Sequence, residues 1–441
     1  NSLLINKLIG GIKLKKYTEY IIGFILLAAI IIIGKINLGS SMLFFRLLAG
    51  LGLGYALTRS FFGFAGGVNR SYKTGSTKLM RMLMILFVGT AIVSVCFFIG
   101  QDPTEYDLWV NPINLGLILG GLLFGFGMAF SSCCASGVLT DVVTGLPRAF
   151  ITLIFFGMGV YLGFPVQNSA SWVKDTMIST GTFENGVFLP DLFKWDGLEG
   201  YLGAIIVTII LACLTIWVAK LYEEKRKANN TYTGVDTEIL QEKKHEEKGE
   251  FKLFSEATYE KLFVRPWTLA TGALVIGGIF ILLMGVTKAG WGASTPYGFW
   301  FGRALVAVGV SPESVATFAG KPVEMFTAPF FSNGMNVQNF GIILGTLVAL
   351  LLAGSFKKTF KAGLQISFKE ALLYIVGGFA MGFGTRLSNG CNVGALYTPI
   401  ANLSLSGWIF LVFLVAGGVL GNIVYKKIMG NKCCKVEVNN K

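Results

Sequence analysis

The stretch Gly120–Gly137 reads GGLLFGFGMAFSSCCASG, and a second copy at Gly377–Gly394 reads GGFAMGFGTRLSNGCNVG, 257 residues further along the chain. Aligned without gaps, the copies share eight of eighteen residues, including the cysteines Cys134 and Cys391. Each copy is a glycine-rich apolar segment that ends in a polar turn. A helix that breaks at membrane depth must bury its freed backbone in protein or line a cavity, and such breaks mark the binding sites of many transporters. The duplicated turn therefore predicts a functional site inside a membrane protein.

The composition assigns the chain to the polytopic all-α membrane proteins. Of its 441 residues, 53% are hydrophobic and only 14% are charged, and apolar runs long enough for transmembrane helices recur along it. A net charge of +13 would suggest a nucleic-acid partner for a soluble chain, but here the lysines cluster in short segments beside the apolar runs. Such clusters orient membrane helices, so we expect membrane lipid around the chain and no nucleic-acid partner.

The apolar runs predict membrane spans in both halves of the chain. They lie at Tyr20–Gly34, Ser41–Leu57, Met82–Ile99, Ile113–Phe130, Ala149–Pro165, Tyr201–Ala219, Trp267–Val286 and Phe340–Gly354. The second glycine-rich copy and a last span before Lys426 follow, and a shorter apolar run, Phe299–Val310, carries Arg303. A basic segment precedes the first run and no small-residue cleavage site follows it, which indicates a membrane anchor rather than a signal peptide.

Two further segments do not fit a full crossing. The stretch VLTDVV after the first cysteine turn is too short to span a membrane, and Pro147 then favours the start of a new helix, which together indicate a half-helix or re-entrant piece. The stretch RSFFGFAGGVNR at Arg59–Arg70 is aromatic and rich in glycine. It predicts either a surface loop with buried rings or a re-entrant segment that lines a pore.

The duplication extends beyond the cysteine turns and divides the chain into three parts. At the same offset of 257 residues, Arg46 recurs as Arg303 and Gly52 as Gly309. We predict an N-terminal membrane repeat at residues 1–219, a cytoplasmic hydrophilic linker at 220–265, and a C-terminal membrane repeat with a short basic cytoplasmic tail at 266–441.

The charges of two corresponding loops predict that the repeats are inverted. The loop at 101–111 contains acidic residues and no base, whereas the loop after Phe340–Gly354 is rich in lysine. The positive-inside rule places the first loop outside and the second in the cytoplasm, together with the N-terminus and the C-terminus. Inversion requires an odd number of crossings between the repeats, whereas the apolar runs give an even number. We therefore expect one segment near 267–310 not to cross fully.

The motifs are similar to those of one known family. The two GFG turns with their cysteines, together with the RSFFGFA stretch after the first paired helix, resemble the YeeE/YedE family of sulfur-related membrane proteins. The resemblance covers nearly the whole chain. It implies an hourglass-like fold in a bacterial inner membrane, in which loops dip from both faces towards a constriction lined by cysteines. The activity that it implies is uptake of thiosulfate.

The resemblance also implies which residues line the path of the anion. Cys134 and Cys391 would be the thiols of the constriction. The family's first cysteine, which lies in its RSxFCFA stretch, is replaced by Gly63 here, so a relay of three thiols is incomplete in this chain. Around these positions we expect the path to include Arg59, Phe62, Ser131, Cys133, Gly137, Ser388, Asn389 and Gly394.

These residue types suit a weakly held sulfur anion. The anion must lose bound water at a constriction, which is unfavourable in a medium of low dielectric constant. Unpaired N–H groups at a broken helix would stabilise it without a fixed cation, and thiols add weak, polarisable donors. Glycines let the backbone approach closely. Arg148 and Arg386 would attract the anion from the flanks.

The other cysteines and the single histidine are expected to have no part in transport. Cys96 and Cys213 are interpreted as inert apolar side chains, and Cys433 and Cys434 as thiols of a free tail, with palmitoylation or metal capture as alternatives. His245 lies in a charged stretch without metal-ligating partners. We therefore predict neither a metal nor another cofactor.

Two groups near the first turn keep alternative interpretations. Cys133 either packs in the turn or forms a strained disulfide with Cys134. Asp141 is an acid at membrane depth, and it is either a proton-linked group or the partner of a helix cap.

Three functions compete. The first is a transporter or channel for a small sulfur-containing anion, most simply thiosulfate, or for a selenium species. The second is a membrane enzyme that passes sulfur between thiols, which the sequence disfavours because it places no base near any thiol. The third is a scaffold that presents substrate to a cytoplasmic sulfur-carrier protein through the linker. The sequence contains no ATP-binding motif. We predict a transporter rather than an enzyme.

Overall fold

Helices form nearly all of the regular structure in the computed structural model of the protein, which describes residues 2–243 and 255–430. No β-strand occurs among these residues. The helices of the first half are α1 (Ser2–Asn37), α2 (Ser41–Arg59), α3 (Phe64–Thr74), α4 (Lys78–Phe98), α5 (Leu115–Ser131), α6 (Ala135–Thr144), α7 (Leu146–Ser169), α8 (Ser171–Lys174), α9 (Tyr201–Ala228) and α10 (Asp236–Glu242). Those of the second half are α11 (Glu256–Tyr259), α12 (Leu269–Thr287), α13 (Thr295–Ala307), α14 (Pro312–Ala319), α15 (Glu324–Thr327), α16 (Gly334–Leu352), α17 (Phe356–Ala362), α18 (Phe368–Leu387), α19 (Thr398–Ala401) and α20 (Leu405–Met429). His245, Cys433 and Cys434 lie outside the described residues.

Ten helical segments within the described residues are long and apolar enough to cross a membrane. They are Tyr17–Asn37, Ser41–Thr74, Lys78–Phe98, Leu115–Thr144, Leu146–Ser169, Tyr201–Ala228, Leu269–Thr287, Gly334–Leu352, Phe368–Ala401 and Leu405–Met429. Every span predicted from the sequence overlaps one of these segments, which confirms the polytopic all-α fold. Helix α13, with 13 residues, is not among the ten.

The two duplicated helices, α5 and α18, pack against each other in opposite directions. Gly120 near the start of α5 faces Gly384 near the end of α18, and Gly127 near the end of α5 faces Gly377. A Cβ atom on Gly120 would lie 2.7 Å from the Gly384 carbonyl oxygen, so only glycine permits this approach. Antiparallel pairing of the copies is the arrangement that an inverted repeat requires, and the inversion of the complete halves stays a prediction.

Two more helices complete the core around this pair. Helix α7 packs along α18, and α20, which follows the second copy as α7 follows the first, packs along α5. Glycines again mediate both contacts, because a Cβ on Gly382 would collide with the Phe156 carbonyl group and one on Gly125 with the Leu414 carbonyl group. The glycine-rich copies are therefore the seams of a four-helix core.

Two predicted helix ends were too early. Helix α7 continues through Pro165 to Ser169, as membrane helices tolerate an interior proline. Helix α9 continues to Ala228, where Arg226 donates to the Tyr72 carbonyl oxygen at 2.8 Å. The charged end of α9 is thereby held against α3.

We expect Gly382→Ala to destabilise the protein by about 2 kcal/mol or more, because the added methyl group forces α7 and α18 apart. Thermal unfolding of the purified protein in detergent measures the change. Gly278→Ala is the matched control, since a Cβ at this helical glycine of α12 meets no atom within 4 Å. Equal unfolding temperatures for the two variants would contradict the close packing.

Candidate functional site

Contacts between helix ends define two faces of the molecule. On one face the end of α9 reaches the start of α4, where Glu223 accepts from the Thr77 backbone N–H at 3.0 Å. This is called the basic face, because it carries Lys73, Lys78, Lys225, Lys227, Lys357 and Lys361. On the opposite face, the Leu189 N–H donates to the Leu403 carbonyl oxygen at 2.9 Å.

A cavity of about 690 Å³ lies on the basic-face side and contains many of the residues singled out in the sequence. Its lining includes Arg59, Phe62, Gly63, Cys133, Cys134 and Gly137. The stretch at Arg59–Arg70 turns after α2, continues into α3 and lines this basic-face cavity, so it is not a plain surface loop.

A second cavity, of about 470 Å³, lies on the opposite-face side. It is lined by Asn389 of the second turn and by residues of the loop before α5, among them Asp107, Trp109 and Asn111. The first turn therefore faces one cavity and the second turn faces the other.

The two turns share one backbone design. Ser132 and Asn389, which occupy equivalent positions, both have a φ of 56°, in the left-handed region that ends a helix. The preceding serine holds each turn: Ser131 Oγ lies 2.9 Å from the Gly127 carbonyl oxygen, and Ser388 Oγ lies 2.9 Å from the Gly384 carbonyl oxygen. The two serine hydroxyls thus donate to their own backbone.

Each cysteine stands at the start of the short helix after its turn. Cys134 precedes α6, and its sulfur lies 3.4 Å from Ser136 Oγ. Cys391 precedes the π-helical turn Asn392–Tyr397. Both thiols are buried, and they are close enough to interact electrostatically. The structure therefore brings together the two cysteines that the sequence places 257 residues apart.

Two aromatic side chains that lie outside the duplicated motif complete the region between the cavities. Tyr297 of α13 is buried, donates to the Ala135 carbonyl oxygen at 2.5 Å, and lies within electrostatic range of the cysteines of both turns. Trp109 lies against Gly394 and Gly292, where an added Cβ would collide with its ring. Sequence reasoning missed Tyr297 and Trp109, because neither belongs to the duplicated motif.

Asp141 corrects one conclusion drawn from the sequence. Its carboxylate forms an ion pair with Arg148 at 2.7 Å and lies within electrostatic range of the Cys133 thiol. The statement that no base lies near any thiol was therefore wrong, because α6 carries Asp141 back towards the turn. Arg148 is paired, so its charge is largely neutralised before an anion arrives.

The remaining described cysteines lie away from this region. Cys96 on α4 and Cys213 on α9 are exposed on the outer surface of membrane helices. Cys133 and Cys134 are free thiols rather than a disulfide. Within the described residues, no group of histidine, cysteine or acidic side chains could hold a metal ion.

The ten candidate membrane-crossing helices and the buried duplicated turns define a multi-pass membrane protein. The pattern of the family described as sulphur transport matches residues 59–420, so the chain belongs to that family. Membership of this family makes the protein a transporter rather than an enzyme. The chain is 25% identical over 348 residues to the thiosulfate transporter TsuA of Spirochaeta thermophila, covering 77% of this chain and 83% of the relative. It is 24% identical over 385 residues to the Escherichia coli thiosulfate transporter TsuA, covering 86% of this chain and 93% of the relative. It is 28% identical over 159 residues to the probable transporter YedE of Escherichia coli, covering 36% of this chain and 38% of the relative.

We expect Asp141→Asn to lower the free energy of unfolding by about 1–3 kcal/mol, because it leaves the charge of Arg148 without its partner. The expected loss of stability is modest because a third of the Arg148 side chain is exposed, and solvent weakens an exposed ion pair. The double variant Asp141→Asn with Arg148→Gln should recover part of the loss in thermal unfolding. Strictly additive losses would show that the two side chains do not interact.

Proposed function

We propose that this protein carries a small sulfur oxyanion, most simply thiosulfate, across the membrane between the two cavities and past Cys134 and Cys391. One observation carries the proposal: two copies of one broken-helix turn approach each other from cavities on opposite sides of the molecule, with a buried thiol on each. The relatives named thiosulfate transporters support the choice of anion.

The chemistry of the turns fits an anion that is held weakly and released. Helix α6 begins at Ala135, directly after Cys134, so its positive end lies near the basic-face cavity. The thiols add weak donors and a polarisable surface for a soft sulfur atom. A fixed ion pair at the narrowest point would bind more tightly and slow release.

The charge distribution supports an orientation. The basic face would lie in the cytoplasm of a bacterium and the opposite face outside its inner membrane, since lysines and arginines flanking membrane helices favour the cytoplasmic side. Uptake would then move the anion from the opposite-face cavity to the basic-face cavity.

The basic face also offers a place for a cytoplasmic sulfur-carrier protein to receive the anion. Part of the 220–265 linker is packed there: Glu238 of α10 accepts from Ser76 Oγ at 2.5 Å, and Val235 lines the basic-face cavity. A carrier that contacts this segment would stand next to the end of the path.

Uptake of radiolabelled thiosulfate into proteoliposomes of the purified protein tests the main proposal. We expect saturable uptake that unlabelled thiosulfate abolishes, and competition by sulfite and selenium anions measures the breadth of the site. Sulfite release from thiosulfate without net uptake would instead support the sulfur-transfer alternative, in which a thiolate such as Cys133 takes the outer sulfur and sulfite leaves. Absence of both would overturn the proposal.

Cys134→Ala and Cys391→Ala should each lower thiosulfate uptake at least about tenfold, with no loss of folded protein, because each removes a donor at the narrowest point. Cys96→Ala and Cys213→Ala are the matched controls and should transport at the wild-type rate, since their thiols are exposed on the outer helix surface. Wild-type flux in either constriction variant would contradict the proposed path.

Gly63 and Cys133 give a subtler prediction. Cys133 replaces the glycine found at the equivalent position of the second turn, Gly390, and it lines the same cavity as Gly63. A Cβ at Gly63 meets no atom within 4 Å, so Gly63→Cys places a thiol in the basic-face cavity without strain. We expect Cys133→Gly to slow uptake several-fold, corresponding to about 1 kcal/mol, and Gly63→Cys to restore part of the rate.

Initial rates of the two single variants and of the double variant measure this compensation. The control is Gly39→Cys, which adds a thiol at a glycine with open space in the α1–α2 loop. If Cys133→Gly transports every sulfur and selenium anion at the wild-type rate, Cys133 does not compensate for the missing cysteine.

A further inference from the structure

Only two arginines are fully buried among the described residues, Arg59 and Arg386, and neither forms an ion pair with a described carboxylate. Arg59 lines the basic-face cavity and donates to the Arg265 carbonyl group. Arg386 lies near the end of α18, five residues before Cys391, and is only 3% exposed. Burial of an unpaired cation is strongly unfavourable, so each arginine calls for a negative partner.

The contacts of Arg386 are too weak to supply that partner. Its Nε donates to Thr385 Oγ1 at 3.2 Å and a terminal nitrogen donates to Ser294 Oγ at 3.4 Å. The guanidinium also lies 5.5 Å from the centre of the Phe164 ring. Hydroxyls and a ring face hold the side chain in place but do not cancel its charge.

A second cation lies on the same ring. The Lys321 ammonium group is 5.3 Å from the centre of the Phe164 ring and donates to Asn168 Oδ1 at 3.5 Å. Burial and the positive charge of Arg386 lower the pKa of Lys321, so the two cations repel each other. An anion that contacts both would replace this repulsion with two attractions.

The surroundings place the pair beside the proposed path. Arg386 lies within electrostatic range of the Cys391 thiol. Gln167, at the end of α7, donates to Asn389 Oδ1, and Asn389 lines the opposite-face cavity. The Gln167 Oε1 atom is buried and has no partner among the described residues.

The fold makes room for the guanidinium at this point. A Cβ on Gly163 of α7 would lie 2.6 Å from Arg386 Cγ, so a glycine is needed for the arginine stem to pass between α7 and α18. The opposite-face cavity itself is lined by Asp107 and Glu184 and by no lysine or arginine. Arg386 and Lys321 can therefore supply positive charge that the lining of this cavity lacks.

We propose that Arg386 and Lys321 form an anion-binding subsite on the opposite-face side of Cys391, and that its ligand is a divalent sulfur oxyanion of the thiosulfate class. The subsite rests on the proposed function for the identity of its ligand. Two cations match a double negative charge, and the guanidinium fork matches the oxygens of a sulfonate group. The anion would pause here before it passes Cys391.

Binding to the full-length protein in detergent tests the subsite separately from transport. Titration calorimetry gives the dissociation constants of sodium thiosulfate and sodium sulfate, and thermal unfolding with and without each salt gives the anion-dependent stabilisation. The variants are Arg386→Gln, Arg386→Lys and Lys321→Gln. Arg303→Gln is the matched control, since it removes one positive charge from α13, where Arg303 donates to the Met325 carbonyl oxygen at 3.2 Å and forms no ion pair with a described residue.

We expect Arg386→Gln to raise the thiosulfate dissociation constant about tenfold or more, Lys321→Gln to raise it several-fold, and Arg386→Lys to restore part of the affinity. Without anion, Arg386→Gln should unfold at the wild-type temperature or above, because it removes an unpaired buried charge. A purely structural arginine would instead give a lower unfolding temperature and unchanged affinity. Arg303→Gln should bind within twofold of wild type.

The outcomes separate the subsite from the transported substrate. If Arg386→Gln and Lys321→Gln both bind thiosulfate with wild-type affinity while the protein transports it, the subsite is wrong and the proposed function stands. If the protein binds sulfate but not thiosulfate, and Arg386→Gln abolishes sulfate binding, the subsite stands and its proposed ligand is wrong. If Arg386→Gln does not fold, an unchanged dissociation constant in Lys321→Gln overturns the subsite and a raised one supports it.

Discussion

A transmembrane helix must satisfy its own backbone hydrogen bonds, and this protein interrupts two of them near the middle of the molecule. Each interruption is tolerable because protein rather than lipid surrounds it. The glycines of α5 and α18 let these helices approach each other and let α7 and α20 close around them, which buries Ser131, Cys134, Ser388 and Cys391. The broken turns therefore depend on the close packing of the helices, because a looser core would expose unpaired N–H and C=O groups to lipid.

The sequence alone was sufficient to predict the features that occur in both copies of the duplication. The 257-residue offset identified the paired turns, and the apolar runs and the glycine-rich copies located the candidate spans. The incomplete crossing of one segment near 267–310 stays a prediction, and the 13 residues of α13 are too few for a candidate span. These features follow from local composition and periodicity, which a single chain displays directly.

Contacts made by residues that occur in only one of the two repeats could not be predicted from the sequence. Tyr297 reaches the first turn from α13 of the second half, and Trp109 reaches Gly394 from a loop 285 residues earlier in the chain. Asp141 reaches Cys133 only because α6 is a regular helix that begins directly after the turn. The contacts of Tyr297 and Trp109 join distant segments whose relative position is set by tertiary packing, and no local pattern in the sequence records them.

The two halves have become chemically unlike at the positions where their turns correspond. The first half carries Cys133, Asp141 and Arg148, and the equivalent residues of the second half are Gly390, Thr398 and Leu405. Conversely, Arg386 of the second half corresponds to Ala129 of the first. A path with identical turns would present the same affinity to an anion from both sides. Here a carboxylate paired with Arg148 lies beside the first turn, and none of the described carboxylates pairs with Arg386 beside the second. The proposed path would therefore offer an anion unequal affinity at its two ends, which favours stepwise transfer from one cavity to the other.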